Sequence, residues 1–159
     1  MSLFSRNILF VVPLMLAACG FTPVYAPGGT GAQFQNNISV QAPTTRDGFL
    51  LTQRLEQRLG RAANAPYTLN YTVRSSAANL AVDTEGSVTR FNLIGVANYS
   101  LIETSTGRVV ASNSVDNFTG YSAAGTTVAT LAAERDAQQR LMVMLADQIV
   151  TRVLSLDLQ

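Results

Sequence analysis

One stretch of the chain combines residue types at a spacing that chemistry requires, Leu16-Ala17-Ala18-Cys19. Small side chains ahead of a thiol suit a peptidase that cuts before Cys19, and the thiol is the nucleophile that accepts diacylglycerol. Cys19 is the only cysteine, so no disulfide competes for it, and a lone thiol in an exported chain otherwise needs explaining. What precedes it has the form of an export signal. Residues 1–7 are polar, with Arg6 as their only charge, and residues 8–18 are apolar apart from a kink at Pro13. At about 1.5 Å per residue that run covers roughly half of a ~30 Å hydrocarbon core, too short to span it and normal for a signal. Removal of residues 1–18 is therefore expected, leaving Cys19 with an N-acyl group and S-diacylglycerol and no other cofactor. One acyl chain anchors marginally, whereas two or more hold stably. Gly20 stands where an aspartate commonly retains such proteins in the inner membrane. The expected location is the outer membrane, with the body in the periplasm.

Other chemistries lack their residues. The sequence has no histidine, which removes Ser-His-Asp and Cys-His nucleophile systems and imidazole metal ligands. A carboxylate pair remains as the catalytic option. The closest acids are Asp83 with Glu85, in an expected turn, and Glu134 with Asp136, whose spacing on a helix points them apart. Asp136 and Arg140 instead suit an i,i+4 surface pair. Nothing here resembles an active site, and no enzyme is expected.

The 11 basic residues, all arginine, nearly balance the 10 acidic ones, which argues against nucleic acid as a partner. Charged residues are 13% of the chain, against about 25% in typical soluble domains. Ser, Thr, Asn and Gln make up the difference. A surface so poor in charge fits cover by a partner and equally fits genome composition.

The elements that must position these residues follow from periodicity. Residues 19–37, rich in Gly, Pro, Thr and Gln, read as a lipidated tether, and residues 38–159 as one α+β domain. Residues 38–42 alternate up to Pro43 as a short strand. Thr44 or Thr45 can cap a helix over about 47–61, with Leu51, Leu55 and Leu59 on one face. Arg54, Arg58 and Arg61 share the other side; phosphate binding is one reading of that stripe, and a solvated helix face is the favoured one. Tyr67, Leu69, Tyr71 and Val73 then alternate with polar residues in a half-buried strand reaching about residue 82. A turn at residues 83–86 leads to a strand over 88–103, in which Phe91, Leu93, Ala97, Tyr99 and Leu101 share a face. Gly95 falls in that row, where a helix could pack close. In the strand over 109–121, Val109, Ala111 and Val115 keep one phase that Phe118 and Tyr121 break, so a bulge is expected near Asp116-Asn117. Last comes a helix over about 128–156 with Leu141, Leu145, Ile149 and Val153 as its core stripe and methionines as filler.

The expected order is β-α-β-β-β-α, a mainly antiparallel four-stranded sheet with two helices packed on one face. The other face bears Thr68, Asn70, Thr72, Asn92, Asn98 and Ser100. Ile94 and Val96 interrupt its polarity and leave room for a partner there.

Three motifs in this order carry a family resemblance. They are Cys19-Gly20-Phe21-Thr22-Pro23-Val24-Tyr25; Thr89-Arg90-Phe91-Asn92-Leu93 running on to Ala97-Asn98-Tyr99-Ser100-Leu101; and Ala132-Ala133-Glu134-Arg135-Asp136-Ala137 with Arg140-Leu141 and Ala146-Asp147-Gln148-Ile149. With them the chain resembles the LPS-assembly lipoprotein LptE family in its alphaproteobacterial form, over most of the mature length. The resemblance implies a structural partner: a plug inside the outer-membrane barrel LptD that assists its assembly and meets lipopolysaccharide on its way to the cell surface. Family members bear basic residues near the turn between the second and third strands and near the start of the last helix, proposed to meet lipopolysaccharide phosphates. This chain departs there, with Asp83 and Glu85 in the turn and Thr126-Thr127 near the helix start. Arg90 is the nearest basic residue to the turn and the candidate ligand-binding residue. The alternative function is a periplasmic lipid-transport accessory lipoprotein contacting an inner-membrane transporter, which would need an apolar cavity.

Overall fold

The computed structural model describes residues 34–82, 84–123 and 125–156; the expected signal, Cys19 and Asp83 lie outside them. In chain order the elements are β1 (Ile38–Val40), α1 (Arg46–Leu59), β2 (Tyr67–Val82), β3 (Val88–Glu103), β4 (Val109–Ser122) and α2 (Thr127–Leu154). This is the order expected. The strands lie in the order β1-β2-β3-β4, with β1 parallel to β2 and the other two pairs antiparallel. The mixed topology follows from connectivity: α1 carries the chain back across the sheet, so β1 and β2 run the same way, while short turns join the longer strands.

Each helix begins at a threonine cap. Thr45, of the two candidates, accepts the Gly48 N–H at 3.0 Å, and Thr126 accepts the Ala129 N–H at 3.3 Å. Gly60 ends α1 at a φ of 85°, with Asn36 pressed so close that any side chain there would collide. Phe34, ahead of β1, is already part of the core and packs on Tyr67 with ring centroids 5.6 Å apart.

The core forms between the helices and the odd-numbered residues of β2, β3 and β4. Leu51, Leu55 and Leu59 of α1 meet Leu69 and Tyr71, while Leu141, Leu145, Ile149 and Val153 of α2 cover Leu93, Ala97, Tyr99, Leu101 and Val115. Met142 is fully buried, as filler should be. At Gly95 the backbone of β3 comes so near α2 that a Cβ would stand 2.9 Å from Leu141 Cδ2 and 3.0 Å from Leu145 Cδ1. The Tyr71 hydroxyl donates to the Gly48 carbonyl at 3.0 Å and shares a 2.6 Å bond with Thr52, which ties β2 to α1.

The expected bulge near Asp116-Asn117 is absent. Pairing of β3 with β4 is regular from Arg90↔Ser122 to Leu101↔Ala111, and the irregularity lies at the other end, opposite Leu101 and Ile102. Tyr121 keeps the phase of Val115 and stacks on Phe91 at 5.2 Å. Phe118 alone is out of phase because it faces away from the core, 65% exposed.

The arginine stripe of α1 is not simply solvated. Arg54 grips the Asp147 carboxylate of α2 with two bonds of 2.9 Å, and Arg58 adds a third at 3.1 Å. Only Arg61 remains mostly in solvent, on Glu56. Asp47 makes a similar tie at the other end of α1, accepting from Ser75 at 2.6 Å and from Gln138. The i,i+4 pair of Asp136 with Arg140 is present, and Arg140 also donates to Thr119 of β4 at 3.0 Å.

The ties and the buried tyrosines each lead to a prediction. Asp147→Ala leaves two guanidinium groups without their shared acceptor. Because all three side chains are about one-third exposed, solvent screening limits the expected loss to about 1 kcal/mol. Denaturant midpoints check this, and the deficit against the parent protein should shrink in 1 M salt. The second concerns pH. Burial pushes the Tyr71, Tyr99 and Tyr121 hydroxyls above their ordinary value. Once the pH passes ~10, the unfolded chain releases phenolic protons that the folded chain retains, so stability falls as pH rises. The expected slope is up to ~1.4 kcal/mol per pH unit for each of these tyrosines, read from urea titrations between neutral and strongly alkaline pH.

Candidate interaction surface

Because both helices take the inner face of the sheet, the outer face has no element of the described chain upon it. The even-numbered residues of the long strands form rows across it. One row is Asn70, Ser100 and Ser112; the next is Thr72, Asn98 and Ser114. Here Asn70, Thr72, Asn98, Ser100, Ser112 and Gln41 line a shallow hollow of about 270 Å³. It offers amides and hydroxyls and no net charge.

Further along the strands the face turns apolar. Arg74, Val96 and Asp116 form one row, and Ser76, Ile94 and Phe118 the next. Ile94 and Phe118 are direct cross-strand partners, and with Val96 they are 41%, 65% and 39% exposed. Arg74 and Asp116 flank Val96 without forming an ion pair with each other. The apolar patch anticipated from Ile94 and Val96 is thus real, and Phe118 is the member that periodicity missed. Its phase was the available signal, since an aromatic one position off the Val115–Tyr121 alternation faces outward once the strand is known to run without a bulge.

Arg90 lies on the same face at the far end of β3, between Ala81 and Ser122 in the ladder. It is exposed and has no carboxylate partner among the described residues. It stands beside the tip of the hairpin formed by β2 and β3, whose residues from Ser76 to Ser87 are exposed wherever they are described. Arg90 and the Ile94 pair therefore share a face, with Asn92 between them. The start of α2, by contrast, presents exposed Val128 and Leu131 and no cation before Arg135.

Among the described residues no three acids, histidines or cysteines come together as a metal could use them. No described helix is long and apolar enough to cross a membrane.

The family model LptE, described as lipopolysaccharide-assembly, matches residues 35–153. Among solved structures, a putative lipoprotein from Caulobacter crescentus has a TM-score of 0.66 at 22% identity, covering 79% of this chain and 93% of its own. The rare lipoprotein B of Shewanella oneidensis gives 0.56 at 18% identity, covering 75% and 92%. An uncharacterized lipoprotein B from Nitrosomonas europaea gives 0.60 at 15%, covering 84% and 90%. At such identities these likenesses establish the fold. No curated protein matches the chain.

Proposed function

Since the chain belongs to the LptE lipopolysaccharide-assembly family, we propose that it is an outer-membrane lipoprotein that partners and plugs the barrel LptD. In this role it assists barrel assembly and lipopolysaccharide delivery to the cell surface. Cys19, carrying N-acyl and S-diacylglycerol groups, holds it to the membrane from the periplasmic side. The function is one of binding, without an enzymatic step.

The observation that carries this reading is the uncovered outer face of the sheet. A large barrel has a polar interior, so a body seated there needs hydrogen-bonding groups of low charge over most of its contact area. The Asn, Ser and Thr rows supply them. The exposed Val96, Ile94 and Phe118 supply the apolar centre that interfaces use for affinity. Arg90, an exposed guanidinium without a carboxylate partner among the described residues, suits a phosphate of lipopolysaccharide because its planar fork binds such oxygens in pairs. Glu85 in the nearby turn opposes a broad anionic contact, which leaves Arg90 as the single point of attachment proposed.

The test is recovery of the tagged, full-length protein from detergent-solubilised envelopes with identification of its partners by mass spectrometry. One large outer-membrane barrel in stoichiometric amount is the expected result. Recovery of inner-membrane transporter components without a barrel would replace this reading with the lipid-transport alternative.

A further inference from the structure

The two edges of the sheet are finished differently. On β4 the even-numbered residues turn their peptide groups outward, and side chains cover four of those groups. Asn113 accepts the Ser114 N–H and Asn117 accepts the Phe118 N–H, each at 2.8 Å. Arg152 of α2 donates to the Ser114 carbonyl at 2.7 Å, and Arg140 donates to the Gly120 carbonyl at 3.4 Å. An edge capped in this way is a poor template for another strand.

On β2 the odd-numbered residues turn outward. Near its start they are satisfied: the Leu69 carbonyl accepts from the Gln41 N–H at 3.0 Å, and the Tyr71 N–H donates to the Gln41 side chain at 3.4 Å. There β1 ends. Strand alternation aims the N–H and C=O groups of Val73, Ser75 and Ala77 the same way, and among the described residues none of them has a partner on that side. Residues 42–45 diverge from β2 and leave a cleft of about 260 Å³ beside Tyr71, Val73 and Arg74, at the start of this open segment. Arg74 stands next to the open groups on the outer face with no carboxylate partner among the described residues.

We infer that the β2 edge from Val73 to Ala77 takes up an extended segment of the partner barrel chain as a fifth strand, with an acidic side chain of that segment set opposite Arg74. The inference rests on the barrel partnership proposed above. A closed barrel has no free edge, so the segment is one that lies outside the closed ladder or has not yet joined it. Strand addition draws its affinity from main-chain bonds, which this segment offers in an unbroken run. The cross-strand pair of Arg74 with a carboxylate fixes which segment docks.

The experiment compares amide hydrogen exchange in the free full-length protein and in its detergent-solubilised complex with the barrel. At least tenfold slower exchange of the Val73, Ser75 and Ala77 amides in the complex is expected. A second measurement uses Ala77→Pro, which removes an outward N–H while leaving every β2–β3 bond in place. It should lower the amount of barrel recovered about tenfold. Unaltered exchange at these amides in a complex that does form, or full recovery with Ala77→Pro, would overturn the strand addition alone. Recovery of no barrel with the unsubstituted protein would overturn the partnership and the strand addition together.

Discussion

Gly95→Val should destabilise the fold by about 3 kcal/mol, more than any surface change in the molecule. A valine at this position puts its Cβ 2.9 Å from Leu141 Cδ2, 3.0 Å from Leu145 Cδ1 and 3.1 Å from Leu141 Cγ, before its two methyl groups are added. Overpacking of this kind costs ~1–3 kcal/mol. The better strand propensity of valine returns at most ~1 kcal/mol, and the two γ-methyl groups lift the total toward the top of the range. Relief through rotamers is limited, because Leu141 and Leu145 are themselves fully buried. Gly95→Ala should cost less, about 1 kcal/mol, since the ends of two leucines can yield by a few tenths of an ångström. The decisive measurement is a double-mutant cycle with Leu141→Ala, which alone costs ~3 kcal/mol by leaving a cavity. In the double variant the valine occupies part of that cavity, so the combined loss should fall short of the sum by more than 1 kcal/mol. Strict additivity in denaturant unfolding would show that the contact does not limit packing.

Phe118→Asp is expected to separate binding from folding. Phe118 is 65% exposed and faces away from the core, so the free protein should keep its stability to within about 0.5 kcal/mol. Partner recovery should fall by at least thirtyfold, because seating an unpaired carboxylate in an apolar contact costs several kcal/mol. Ile94, its cross-strand partner, should give the same result on replacement by aspartate. Thr68→Asp, at the polar end of the same face, should have a far smaller effect. Measuring thermal stability and barrel recovery on the same preparations checks both halves. Unchanged recovery with Phe118→Asp would remove the outer face from the proposed interface.

Much of the architecture was legible because it depends on local periodicity. Alternation placed the long strands, the four-residue leucine spacing placed both helix stripes, and a glycine within an apolar row pointed to the close approach of α2. Ile94 and Val96 stood out as apolar residues on a polar face, and Arg90 sits on that face as strand phase requires. What periodicity does not encode is which distant side chains meet. Arg54 and Asp147 are separated by 93 positions, and each alone looks like an ordinary charge on a helix surface. Phe118 was misread for a different reason. An aromatic residue out of phase can mean a bulge or an outward side chain, and only the unbroken pairing with β3 decides between them. The capped and open edges were beyond reach as well, since Asn113, Asn117, Arg140 and Arg152 act on backbone groups that a sequence does not display.

The placement of α2 has a consequence for the order of events during synthesis. That helix supplies nine of the twenty-two buried apolar residues among those described, and it is made after all the other described elements. Until it emerges, the inner face of β3 and β4 has nothing to pack against, and the contacts that complete the fold join segments far apart in the chain. Such long-range closure is slow. A nascent chain built in this way stays unfolded until α2 has been made, which suits the export that the proposed lipoprotein role requires, through a channel that accepts only extended polypeptide.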